Sequence, residues 1–228
     1  MRNKNILWLY IFLLVAVIDL FFTAEGNSEL RIYSKPLIIL SLGFYFWQIS
    51  KNVAGTLIRK AMLGALIFSW LGDVLLLFPY LFLYGLGAFL MAHVCFIISF
   101  KISQEKPFEI GQVNFIKLFL YNLPIYIPAG IAYFLINPGL GELKIPVVIY
   151  ILIIVTMVTT ARERFGKTNA SSFWQVFIGA FTFMISDGIL AINMFYKPFP
   201  EAAVLVMGTY ILAQLLIVMG VRAHYLKG

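Results

Sequence analysis

Three aspartates, Asp19, Asp73 and Asp187, interrupt stretches of sequence that are otherwise almost wholly apolar. An ionised carboxylate inside a membrane helix costs on the order of 2.5–3.5 kcal/mol even on a lenient insertion scale, so each needs a partner or a task. Asp73 stands thirteen residues beyond the basic Lys60, which is ~20 Å along a helix rising about 1.5 Å per residue. Asp187 stands fourteen residues beyond Phe173. Both fall roughly two-thirds of the way across a hydrocarbon core of ~30 Å, on segments running in the same direction. Two carboxyls sharing one dry site divide into a neutral acid and an ionised base, because desolvation and mutual repulsion oppose a second charge. That division suits acid-base chemistry at a scissile bond. The plainer alternative is a hydrogen-bonded clasp between helices, with Ser69 one turn below Asp73 or Ser186 beside Asp187 as partner. An Asn or Ser would clasp more cheaply than two acids at one depth. Asp19, about one turn from the end of its segment, reads as structural.

Other polar residues sort by depth in the same way. His93 lies near the middle of its apolar run, and Tyr210 and Gln214 share another, with Tyr210 at about the depth of Asp187. A second histidine, His224, sits at the tail, so no histidine pair offers a metal site within the membrane. Asn122, Pro124 and Pro128 mark a kinked helix. There is no His-Glu-x-x-His signature, no Gly-x-Ser-x-Gly elbow and no phosphate-binding glycine pattern. Neither a metal nor a cofactor is therefore expected. What remains is a hydrolase using carboxylates, a proton-coupled transporter of a lipid or small molecule using them, or a structural helical protein.

The elements that must hold these residues follow from composition. The chain of 228 residues is 62% hydrophobic and 12% charged, against roughly 45–50% and about 25% in a soluble domain. Ten acidic and seventeen basic residues cannot clothe a water-soluble globule of this length. The excess of +7 is scattered in ones and threes, so nucleic acid is not an expected partner. Cys95, the single cysteine, excludes an intrachain disulfide. Eight apolar runs, about 5–23, 36–50, 60–78, 82–100, 115–136, 145–160, 173–195 and 202–222, read as spanning helices of one domain over residues 1–228. The first also imitates a signal peptide, with Arg2 and Lys4 ahead of it and Ala24-Glu25-Gly26 behind. Of the seventeen Lys and Arg, thirteen fall with the termini and the even loops and four (Arg31, Lys35, Lys144, Lys197) opposite. The positive-inside bias then makes both termini cytoplasmic. Gly64-Ala65 and Gly179-Ala180 precede the two aspartates at matching distances, give or take one residue, an echo that hints at a parallel repeat of two four-helix halves. On this reading Asp73 and Asp187 meet at a common polar cavity in the outer half of the bilayer.

The string Phe68-Ser69-Trp70-Leu71-Gly72-Asp73-Val74-Leu75-Leu76, followed by Gly87-Ala88-Phe89 and His93, resembles the YhhN-like lysoplasmalogenase family. So do Lys35-Pro36, Pro146 with Tyr150 and Met157, Gly179-Ala180 through Phe183, Ser186-Asp187, Leu190-Ala191, and Thr209-Tyr210 with Gln214-Leu215-Leu216. The matches run from about 35 to 220. The chain departs from the family at Cys95-Phe96, where a tyrosine is expected soon after the histidine. The resemblance implies an eight-helix hydrolase of the bacterial plasma membrane or endoplasmic reticulum. Such an enzyme cleaves the vinyl-ether bond of a lysophospholipid, giving a fatty aldehyde and a glycerophospho-amine. Asp73 and Asp187 would be catalytic under it, and Lys35, His93, Tyr210 and Gln214 would contact substrate. Lys35 is a candidate for the lipid phosphate, with an ordinary interfacial lysine as the alternative. Tyr210 and Gln214 are candidates for orienting water or the glycerol backbone.

Overall fold

The computed structural model describes residues 2–104 and 115–225. Lys106 and Lys227, two of the thirteen basic residues counted above, lie outside the described residues. Among the described residues eight α-helices follow one another: α1 (Arg2–Ala24), α2 (Ser28–Ile49), α3 (Leu57–Leu75), α4 (Phe82–Ile102), α5 (Phe115–Ile136), α6 (Lys144–Arg162), α7 (Ala170–Phe195) and α8 (Ala202–Tyr225). Each coincides with one expected span. Short connections end and restart them by local chemistry. Asn27, Thr56 and Asn169 each lend a side-chain oxygen to a backbone N–H of the first turn of α2, α3 and α7, which satisfies a donor the helix cannot.

The chain is a polytopic membrane protein turned inside out relative to a soluble bundle. Leu14, Val17, Phe21, Ile67, Ile116 and Phe134 are all more than half exposed, an apolar exterior that water would not tolerate. Six helices are long and apolar enough to cross a membrane. The other two, α2 and α3, carry Lys35 and Asp73 and turn them inward with Ser34, Ser41 and Ser69, while Leu40, Phe44, Trp47 and Ile67 face out. Because α2 begins at Ser28 rather than at residue 36, Lys35 lies about two turns inside it and is buried. The first helix buries Phe12, Ala16 and Asp19 and packs against α2 and α8, so its place is within the bundle.

The closest pairs are α7 with α8, α3 with α4 and α1 with α2. Gly179 and Gly220 let α7 and α8 approach to backbone contact: a Cβ on the first would lie 2.9 Å from Ile217 N, and one on the second 2.8 Å from Val176 N. Small residues replace hydrophobic driving force as the basis of helix pairing in lipid. Pairings that a four-plus-four repeat makes equivalent recur: α3–α4 with α7–α8, α2–α3 with α6–α7, and α2–α8 with α6–α4. The fifth helix departs from the pattern, packing on α7 as well as α6. Most buried apolar residues form one cluster. A satellite of Ile136, Leu140 and Val147, backed by Ile192 and Phe195, lies where α5 meets the start of α6 and the end of α7.

At the opposite end Arg164, fully buried in the α6–α7 turn, ties three elements. Its guanidinium donates to Ser103 Oγ (3.0 Å), Ser172 Oγ (2.7 Å) and the Ser172 carbonyl (3.3 Å). Burial lowers its ionisation to about 10, so it stays charged at neutral pH. Replacing Arg164 by Met orphans these acceptors and is expected to cost about 1–3 kcal/mol of stability. Thermal unfolding in detergent reads this as a lowered midpoint, and an unchanged midpoint would show that the turn does not depend on the guanidinium.

Candidate active site

A cavity of about 400 Å³ opens between the main cluster and the satellite, at the end of the bundle where α3 and α7 finish and α2, α4, α6 and α8 begin. Asp73 and Asp187 both line it, as do Lys35, Tyr150, Ser186 and Tyr210. The remaining wall is aliphatic and aromatic, including Pro128 to Ile136 of α5, Ile151 and Ile154 of α6, and Ile189 and Ile192 of α7. The expected polar cavity is thus an apolar one with its polar groups gathered around two carboxyls. A span that faces lipid outward and a lipid-sized hollow inward has little hydrophilic sequence to spend.

Asp73 is held on both oxygens. Tyr210 Oη donates to Oδ2 at 2.7 Å, and Lys35 Nζ lies 3.9 Å from Oδ1. Behind Tyr210, Gln214 Nε2 donates to Ser69 Oγ at 2.9 Å and lies 3.4 Å from the Tyr210 hydroxyl. Asp187 is held on one oxygen: Tyr150 Oη donates to Oδ2 at 2.5 Å, with His93 Nε2 at 3.4 Å from the same atom. Phe183, one turn before Asp187, separates the two nests, its ring lying edge-on to His93 (4.8 Å) and to Tyr210 (5.4 Å).

The two nests are built alike. Each aspartate takes one partner from the helix before its own, Lys35 of α2 or Tyr150 of α6, and one from the closing helix of the other half, Tyr210 of α8 or His93 of α4. The weak sequence echo therefore corresponds to matched surroundings. The serines do not clasp the acids: Ser69 accepts from Gln214, and Ser186 donates to the Val206 carbonyl, both tying to α8.

Of the residues expected at the site, Asp73, Asp187, Lys35 and Tyr210 reach the cavity. His93 and Gln214 do not line it; each is fully buried behind a tyrosine, because the helix turn that carries it faces the bundle interior. Tyr150 is at the site although no role was expected of it. Its signal was a lone hydroxyl about two turns into α6, at the depth of Lys35 in α2, which twelve tyrosines in the chain conceal. Asp19 stands apart. Ser34 Oγ donates to its Oδ1 at 2.6 Å and Arg31 Nε lies 3.7 Å away, so it joins α1 to α2. Among the described residues no three His, Cys, Asp or Glu side chains converge as metal ligands do.

Residues 30–221 match the model of the YhhN family. The chain is 31% identical over 183 residues to the lysoplasmalogenase TMEM86B of Homo sapiens, covering 80% of this chain and 71% of the relative. It is 33% identical over 187 residues to that of Sus scrofa, covering 82% and 73%. It is also 31% identical over 166 residues to a lysoplasmalogenase of Mycobacterium bovis, covering 71% and 60%. No solved structure matches.

Gly72, immediately before Asp73, lies against α4: a Cβ there would lie 2.6 Å from the Phe89 ring, which packs edge-on against Tyr210 at 5.8 Å. Gly72→Ala must push that ring toward the cavity, an overpacking change of about 1–3 kcal/mol. A lowered melting midpoint in detergent is expected. A midpoint equal to wild type would mean that Phe89 yields freely.

Proposed function

The chain belongs to the YhhN family, and from that premise we propose that it hydrolyses the vinyl-ether bond of lysoplasmalogens to a fatty aldehyde and a glycerophospho-amine, with Asp73 and Asp187 as the acid-base pair. The observation that carries the reading is two carboxyls on one lipid-sized, apolar-walled cavity, in a chain whose relatives from mammals and a mycobacterium are named lysoplasmalogenases. A vinyl ether is cleaved by protonating its β-carbon. The oxocarbenium ion so formed is trapped by water at the α-carbon, and the hemiacetal then collapses. One carboxylic acid supplies the proton. One carboxylate stabilises the cation and takes a proton from the attacking water, as paired carboxylates do at glycosidic bonds.

The apolar wall suits the alkenyl tail, and Tyr210 suits a role in orienting water or the glycerol backbone. Lys35 lies beside Asp73, which favours it as the counter-ion of that carboxylate over a ligand for the lipid phosphate. The alternative of a proton-coupled transporter calls for broken helices and a path to both faces. The described helices are unbroken, which favours the hydrolase. The basic residues support cytoplasmic termini in a bacterial plasma membrane or endoplasmic reticulum, with the cavity in the outer half of the bilayer.

Asp73→Asn and Asp187→Asn should each nearly abolish aldehyde release while the protein stays folded in detergent. Asparagine keeps size and hydrogen bonding but neither donates the proton nor carries the charge. The double variant should lose little more, since groups acting as a unit are far from additive. Asp19→Asn should keep most of the turnover. Wild-type turnover in both Asp73→Asn and Asp187→Asn would make the aspartates a helix clasp. For topology, single cysteines placed near residues 28 and 165 should be labelled from opposite faces, and labelling from one face would overturn the orientation.

A further inference from the structure

The two nests occupy equivalent places but hold different partners, and this difference divides the labour between the acids. We propose that Asp187 is the proton donor to the β-carbon, held for that task by Tyr150 and His93, and that Asp73 is the standing carboxylate that receives the water proton. The proposal rests on the hydrolase reading above and adds to it the direction of proton flow.

Three observations carry it. The first is countercharge. Among the described residues that line the cavity the one ammonium is Lys35, and it lies against Asp73. The groups facing Asp187 are His93 from α4 and Tyr150 from α6, with Asp73 and Tyr210 beyond Phe183. Asp187 therefore faces an imidazole and a phenol hydroxyl where Asp73 faces an ammonium. The second is geometry. Both Tyr150 Oη and His93 Nε2 address Asp187 Oδ2, which leaves Oδ1 to carry the proton. Asp73 has a partner at each oxygen. The third is access. The Asp187 side chain is 18% exposed and that of Asp73 3%, so Asp187 is the one open to the substrate.

The cycle closes on these assignments. The Asp187 proton bonds to the β-carbon as the double-bond electrons take it, leaving an oxocarbenium ion and an Asp187 carboxylate. Water bonds to the α-carbon while Asp73 takes one of its protons. The hemiacetal hydroxyl proton passes to Asp187, the bond between the α-carbon and the glycerol oxygen breaks, and that oxygen takes the proton held by Asp73. The aldehyde and the freed alcohol leave, and both acids are back in their starting states. Tyr150 and His93 are positioning residues: they touch Asp187, not the reacting carbons.

Hydrolysis of lysoplasmalogen in D2O tests the division. Wild type should place one deuterium on the carbon next to the aldehyde, and an aldehyde without it would overturn the hydrolase chemistry and this proposal together. With that established, recovered substrate is examined after long incubation with each variant. Asp73→Asn should still protonate the β-carbon but capture water slowly. The cation then returns its proton to Asp187 and deuterium washes into the vinyl group of unreacted lipid. Asp187→Asn should show none. Wash-in by Asp187→Asn, or by neither variant, overturns the division and leaves the hydrolase reading standing.

A pair of milder variants reads the same question if Asp73→Asn fails to fold. Tyr150→Phe should lower kcat roughly ten- to a hundredfold, the scale of one hydrogen bond to an ionisable partner, with KM little changed and the solvent isotope effect on kcat raised. Tyr210→Phe, acting on the water step, should lower that isotope effect. Equal or reversed shifts contradict the assignment.

Discussion

Keeping polar and ionisable groups inside a bundle whose outer surface is apolar is the constraint on which the rest of this structure depends. Asp19, Lys35, Asp73, His93, Arg164 and Gln214 are all buried, and each charged member sits against groups from another helix. Those cross-helix contacts fix register where apolar side chains alone would slide, since lipid tails compete with leucine on equal terms. They also explain which helices are least like membrane spans. α2 and α3 carry the polar groups that Asp19 and Asp73 need, and their hydrophilic faces are spent inward.

The two catalytic candidates sit on a frame whose helix pairings recur. Equivalent helices give Asp73 and Asp187 equivalent sites, each completed by the closing helix of the other half, so neither nest exists in one half alone. Lys35 and Tyr150 then break the equivalence. An ammonium against one carboxyl and a phenol hydroxyl against the other is a difference that an acid and a base can use. The fifth helix, with two prolines, carries apolar residues to the wall of the same cavity.

Much of this was legible in the chain. Apolar runs between charges located all eight helices, because hydropathy over about 20 residues is a strong signal. The two acids stood out because carboxylates are rare at that depth. Less visible was how far each polar residue would turn from the membrane surface. Reading α2 from Pro36 left Lys35 at an interface, whereas Asn27 starts the helix a residue before Ser28 and draws the lysine inside. Asp19 looked peripheral from its distance to a helix end, yet Ser34 and Arg31 receive it in a fully buried place. His93 and Gln214 were recognised as polar but not as residues behind the cavity wall, because their rotation about the helix depends on tertiary packing. Tyr150 was hidden by ubiquity: tyrosine is common in membrane proteins, and only the fold distinguishes the one that meets Asp187.

In the proposed reaction an acid-base pair in an apolar-walled cavity breaks a bond that must first be protonated at carbon. That chemistry is tested most directly by giving purified protein two lipids identical but for one double bond, a lysoplasmalogen and its saturated 1-alkyl counterpart, and quantifying both product fragments. The account predicts fatty aldehyde and glycerophospho-amine in equal amounts from the vinyl ether and nothing from the alkyl ether, which has no carbon to protonate. Comparable cleavage of both lipids, or release of the glycerophospho-amine without aldehyde, would contradict it.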